Sequence, residues 1–274
     1  MRPIHLALPL LLSFPGLAAQ RPDTSVGAVT AAAGAYLSEY QRQLTYLLAD
    51  EHYTQRVLDR SGAETASRTM TGELFVTFLP ADRAWMSVHD FARVDGEPIA
   101  GRQDLRALLQ RDSVAGVARQ LMARNARFNI GRTVRNFNEP TLGLLVLEPR
   151  RRSQFSFERT QVEREGDVDL VTLTFQERRG PTLVRSVDGG DLFSSGELTI
   201  EAGTGRIRRT LIRFPSGPVA AELTTVYAHE PKLDLWVPVR LSERYERREE
   251  AGELTLCEST YTNWRRFEVD IRIR

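Results

Sequence analysis

The chain is predicted to be an α+β protein in which helices pack on the apolar face of one large, curved antiparallel sheet. Three observations predict it. Apolar residues recur at three-and-four spacing over residues 24–48, the same spacing returns over 104–147, and from Gln154 onward nearly every segment alternates apolar with polar side chains. The 274 residues are 41% hydrophobic, with 37 Lys+Arg against 36 Asp+Glu, so a core is available and the low hydrophobicity and charge imbalance of a disordered chain are missing.

Residues 1–19 have the pattern of a secretory signal: Met1 and Arg2, a mostly apolar run from Ile4 to Leu12, then small residues ending at Ala18 and Ala19. The run is shorter than the roughly 20 apolar residues that a membrane span needs. Cleavage is expected after Ala19, with Ala18 as second choice, leaving a periplasmic or secreted chain of formal charge zero because Arg2 is the stretch's only formal charge. A lipid-modified signal needs a cysteine at the cleavage point, and the one cysteine is Cys257. Export without a lipid anchor or a transmembrane segment is therefore expected, and residues 20–274 are expected to form a single domain.

In the helix over 24–48, Val26, Val29, Ala33, Tyr36, Leu37, Tyr40, Leu44, Leu47 and Leu48 share a face, with Thr24 or Asp23 as the cap. Tyr53 to Leu58, Gly72 to Leu79 and Arg83 to Val94 alternate as strands. In the helical insert over 104–147, Leu105, Leu108 and Leu109 share a face and Val114, Val117, Leu121 and Met122 repeat it. Pro140 fits the first turn of a short buried helix over Thr141 to Leu147. The strands that follow carry one apolar side and one Arg/Glu/Thr side, as in a sheet that is covered on one face and wet on the other.

Most catalytic chemistry finds no pattern here. No serine sits in a Gly-x-Ser-x-Gly elbow, and His89 and Asp90, adjacent on a strand, point to opposite faces. No Cys/His or carboxylate spacing suits a metal, and no glycine-rich loop opens a helix, so no metal or other cofactor is expected. The balanced charge argues against nucleic acid as a partner. Lys232 is the only lysine, and the arginines are spread along the chain instead of clustered. Arg208 and Arg209 could meet an anionic partner, although edge charges that discourage strand addition explain them as well. Cys257, in an alternating segment, is expected at a sheltered strand position.

The remaining signal is apolar: Phe75, Trp85, Phe91, Leu144, Leu145, Phe155 and Phe175, with Phe128 and Phe137, come from both strands and helical middle. If these residues fill the space between helices and sheet, they are core. If the sheet is incompletely filled, the same residues line a pocket for an acyl chain or another apolar ligand.

Over residues 195–246 the order of features is familiar: strand Glu197 to Ile200, turn Glu201-Ala202-Gly203-Thr204-Gly205-Arg206, strand Ile207 to Phe214, a strand to Tyr227, then Leu235-Trp236-Val237-Pro238. This resembles bacterial outer-membrane lipoprotein-sorting proteins and related periplasmic lipoprotein carriers. The resemblance implies an unclosed β-barrel with helices plugging its mouth, and binding of lipid or acyl chains without catalysis. The insert is longer than a simple lid needs, and no residue matches a known lipoprotein contact. The expected function is thus an exported, non-catalytic carrier or sensor of an apolar ligand or acylated protein. An envelope protein-interaction module without a small ligand, and a hydrolase with an unrecognised site, are the alternatives.

Overall fold

The structure, a computed structural model, describes residues 21–44, 46–79, 84–133, 135, 139–186, 188–248 and 252–267. The expected signal segment and Phe137 lie outside them. Helix α1 (Val26–Gln43) leads into β1 (Leu47–Leu58), β2 (Glu64–Leu79), β3 (Ala84–Val94) and the short β4 (Glu97–Pro98). Helices α2 (Leu105–Leu109) and α3 (Val114–Ala126) and a buried 3-10 turn over Leu142–Leu147 follow. Then come β5 (Phe155–Glu165), β6 (Val168–Glu177), the small pair β7 (Val184–Arg185) and β8 (Asp191–Leu192), and β9 (Ser195–Glu201), β10 (Ile207–Phe214), β11 (Val219–Glu230), β12 (Leu235–Arg247) and β13 (Leu254–Arg266).

Eleven strands form one antiparallel sheet in the order β4-β3-β2-β1-β13-β12-β11-β10-β9-β6-β5, unclosed at both ends. Its curvature follows from what α1 touches. Arg159 on the β5 edge donates to the Thr24 carbonyl at 3.0 Å, while Tyr40 near the other end of α1 packs on Trp85 of β3 with ring centroids 5.6 Å apart. Nine strand spacings would separate β3 from β5 by about 43 Å in a flat sheet. The helix between Thr24 and Tyr40 covers only about 24 Å. The sheet therefore curls around α1, giving an α+β half-barrel.

Helix α1 begins at Ser25, whose hydroxyl accepts from the Ala28 amide, one residue after the expected caps. It stops at Gln43, short of the expected Leu48. Leu47 and Leu48 fit the helical face by spacing, but as strand residues they bury on opposite faces of the sheet, Leu47 with α1 and Leu48 with the second helical segment. That second segment is also placed differently from the sequence expectation. Val117, Ala118 and Leu121 of α3 pack with Leu105 and Leu108 of α2 against Leu48, Phe75 and Val88, so α2 and α3 cover the outer face of β1–β3 while α1 and the 3-10 turn occupy the inner one. Strand alternation permits this, since Leu74 and Val76 face inward while Phe75 faces outward. A buried Asp90 fastens the arrangement, accepting from Arg102 at 2.6 Å and from Arg124 of α3 at 2.9 Å.

Candidate functional site

The inner face is packed unevenly. Under α1 and the 3-10 turn, β6 and β9 supply Val171, Leu173, Phe175, Leu198 and Ile200, all buried against Val29, Ala33, Leu144 and Val146. Toward β1–β3 the filling gives way to a cavity of about 270 Å³ on the β3 side of the sheet, where the inner face meets the C-terminal part of α3 as it comes round from the outer face, Asn125 donating to the His89 carbonyl. Tyr53, Met70, Trp85, His89 and Phe91 form its sheet wall, and Met122, Asn125 and Ala126 of α3 its other side, with Asn129, Arg135 and Glu139 at its margins. Met122 is 46% exposed, so the cavity meets solvent beside it. Met70, Met86 and Met122, the three methionines of the described residues, all line this one space. Their flexible thioethers suit a wall that adapts to its contents.

Of the sequence candidates, Trp85 and Phe91 line the cavity. Phe75 is fully buried in the outer cluster, edge to face with Phe267 at 5.3 Å between ring centroids. Leu144 and Leu145 belong to the 3-10 turn beneath α1, and Phe155 and Phe175 meet edge to face at 5.8 Å near the β5 end, all four away from the cavity. Phe128 packs at the side of the inner core, with Arg127 above its ring.

The inner face around the cavity carries polar groups that a search for apolar residues passes over. Glu51 on β1 is buried, pairs with the His89 Nδ1 at 2.7 Å and accepts from the Ser259 hydroxyl at 3.0 Å. Glu243 on β12 is buried too, receiving hydrogen bonds from Tyr245 at 2.7 Å and Tyr53 at 3.1 Å. Burial holds its carboxyl above the ordinary range, against the opposing effect of the two tyrosines and of Arg135. Arg135, 3% exposed, donates to the carbonyls of Ile130 and Thr133 and to the Gln55 side chain. The signal for this cluster was in the alternation: Glu51, Tyr53 and Gln55 occupy every second position of β1, the phase that Leu47, Ala49 and Val57 set as inward.

Glu51 stands between Ser259 and His89. Ser259 therefore donates to a carboxylate and not to the imidazole, whereas a hydrolytic serine needs the imidazole as its base. Cys257 is buried, its thiol pushed up to about 12 by desolvation, which leaves it a weak nucleophile. His229 is a surface group paired with Asp234 at 2.9 Å. Among the described residues no cluster of three or more His, Cys, Asp or Glu could hold a metal. No helix among them is long and apolar enough to cross a membrane. A wider groove on the outer face, about 630 Å³, is lined by Asp50, His52, Glu73, Arg93 and Arg102, and Arg265 pairs with both Asp50 and Glu73 at its side. It is a solvated, self-neutralised surface.

The turn that carries the sequence resemblance has a structural duty. Thr204 donates to the buried Glu201 carboxylate at 2.8 Å, Arg208 pairs with the same carboxylate at 2.5 Å, and the Arg208 guanidinium lies 4.0 Å above the Trp236 ring. Gly205, at φ +73, brings the turn against α1 so closely that a Cβ there would sit 2.2 Å from the Ala32 carbonyl oxygen. Arg208 is thus part of the scaffold. The strand order expected over residues 195–246 is the one observed, β9 to β12 in successive antiparallel pairs.

No family model matches the chain, and no curated protein does. Two solved structures are similar to it over most of its length. One is a DUF1329 family protein from Desulfovibrio piger, 11% identical, covering 90% of this chain and 95% of its own, with a TM-score of 0.38. The other is an outer membrane lipoprotein-sorting protein domain from Vibrio parahaemolyticus, 8% identical, covering 89% and 95%, with a TM-score of 0.33. The second is of the kind that the sequence resemblance names. At such identity no ligand and no residue role carries over to this chain.

Proposed function

We propose that this chain is an exported, non-catalytic carrier or sensor that holds one slender apolar ligand in the cavity between α3 and the inner face of β1–β3. The observation that carries the reading is the contrast inside one half-barrel: packed under α1, hollow under α3, with Trp85, Phe91 and three methionines lining the hollow. Size narrows the ligand. Ligand pockets usually enclose about 300–1,000 Å³, and 270 Å³ lies just below that range. From Phe91 to Trp85 the wall runs six residues along β3, about 20 Å. A long, small cavity takes one chain in single file and leaves no room for several acyl chains side by side. Export rests on the signal pattern of residues 1–19, with cleavage near Ala19. An acylated protein presenting a single chain remains a partner consistent with this reading.

The reading is tested by native mass spectrometry of the mature chain purified from an envelope fraction, before and after incubation with phospholipid, an acylated peptide and free alkyl-chain compounds. Ligand-loaded species and a shift in tryptophan emission on loading are expected, since Trp85 borders the cavity. A homogeneous ligand-free mass with no uptake of any probe overturns it.

A further inference from the structure

Arg135 is a buried cation that pairs with no carboxylate among the described residues. Its guanidinium donates to the Ile130 carbonyl at 3.0 Å, the Thr133 carbonyl at 3.3 Å, the Gln55 side-chain oxygen and the Asn129 side-chain oxygen at 3.4 Å, all of them neutral acceptors. Its Nε has no hydrogen-bond partner among the described residues, and the Tyr245 ring lies 5.9 Å from the guanidinium carbon. Arginine does not shed its proton, and an enclosed charge is stabilised only by an opposite charge or by full hydrogen bonding. Glu243 feels the Arg135 charge, but burial disfavours its ionised form and its oxygens already accept from Tyr53 and Tyr245.

The other charged groups around the cavity are accounted for. Glu51 and His89 pair with each other, and Glu139 accepts from Ser87 at 2.7 Å and from Thr141. Ser87 lies four residues along β3 from Phe91, about 13 Å, so the acid Glu139 and the cation Arg135 stand toward opposite ends of the space. This polarity orients an amphiphile. Resting on the single-chain reading above, we propose that the ligand is a long-chain monocarboxylate, with its head on Arg135 and its tail running past Phe91 and His89 toward Trp85. The carboxylate supplies the missing counter-charge at the end of the cavity that Arg135 lines, and the methionine and aromatic wall covers the tail.

The experiment compares palmitate, its methyl ester and hexadecanol as ligands of the delipidated mature chain by calorimetry, in the native protein and in Arg135→Met and Arg135→Lys. Palmitate is expected to bind at least about tenfold more tightly than either neutral analogue. Arg135→Met should remove that preference, and Arg135→Lys should keep part of it. Equal affinity for acid, ester and alcohol in the native protein overturns the carboxylate assignment while leaving apolar-ligand binding standing. Failure of all three to bind overturns both. If Arg135→Met does not fold, as judged by circular dichroism, the acid-against-alcohol comparison in the native chain decides the question alone.

Discussion

The two ends of the half-barrel obey the same alternation and reach opposite results. On β6 and β9 the inward positions are Val171, Leu173, Phe175, Leu198 and Ile200, and an apolar helix seals them. On β1, β12 and β13 the same inward phase holds Glu51, Tyr53, Gln55, Glu243, Tyr245, Cys257 and Ser259. Buried polar groups must find hydrogen-bond partners, and their directional bonds restrict close packing. An all-apolar helix cannot satisfy them, so this end is bridged by polar pairs and an offset helix, and space is left over. Pocket formation here is a consequence of which residues face inward and not of a gap in the sheet.

The contrast can be broken hardest at the packed end. Gly205→Ala places a side chain at positive φ and drives it into the α1 backbone at Ala32. A loss of about 3–5 kcal/mol in unfolding free energy is expected, from strain and steric overlap together. A denaturant midpoint unchanged from the native protein would show that α1 is not tightly seated on this turn.

Next comes Leu198→Ala, fully buried between the sheet and α1. Truncating a packed leucine costs about 3 kcal/mol, because the surroundings do not collapse into the void. The expected outcome is that stability cost with ligand affinity unaltered. A change in affinity without a change in stability would mean that the ligand space extends under α1.

Much of this division was legible in the sequence, and its limits have physical causes. The long strands of the second half alternate so regularly that β5, β6 and β9–β13 follow from period alone. Helix α1 was legible in place but not in length, because Leu44, Leu47 and Leu48 satisfy a helical stripe and a strand buried on both faces equally well. The side of the sheet taken by α2 and α3 was not legible. Their apolar stripe states that a face is buried, not which face receives it. Trp85 and Phe91 line the cavity while Phe155 and Phe175 do not, and nothing local distinguishes them. What separates them is strand order, with β3 and β5 near opposite edges. Arg135 and Glu243 were passed over because an inward-facing charge looks like any other charge until the register is known.

The hollow end should also show itself in the pH dependence of stability. Burial raises the Glu243 carboxyl above its ordinary 4.5 in the folded chain. Between that value and the raised one, Glu243 is more protonated in the folded state than in the unfolded one, so its contribution to stability is fully present below 4.5 and is lost as pH climbs through this window. Glu243→Gln keeps hydrogen-bonding capacity for Tyr53 and Tyr245 and removes the titration. Its unfolding free energy, measured across the same pH range, should gain on that of the native protein as pH rises. Parallel profiles would show that Glu243 does not set this slope.

The smallest effect on stability is expected at the mouth. Met122 is 46% exposed yet borders the cavity, so Met122→Ser removes little buried area, and unfolding free energy should change by no more than about 0.5 kcal/mol. The same change sets a hydroxyl where a flexible thioether covers the entering ligand, so chain-length preference should shift toward shorter tails while the preference for an acid over an alcohol, set at Arg135, stays. Leu198→Ala and Met122→Ser thus exchange effects, stability without affinity against affinity without stability. Their double variant should show both losses in simple sum, because sites that share no partners add. A marked departure from additivity would mean that the packed and hollow ends are one cooperative unit, and that filling the cavity is felt by α1.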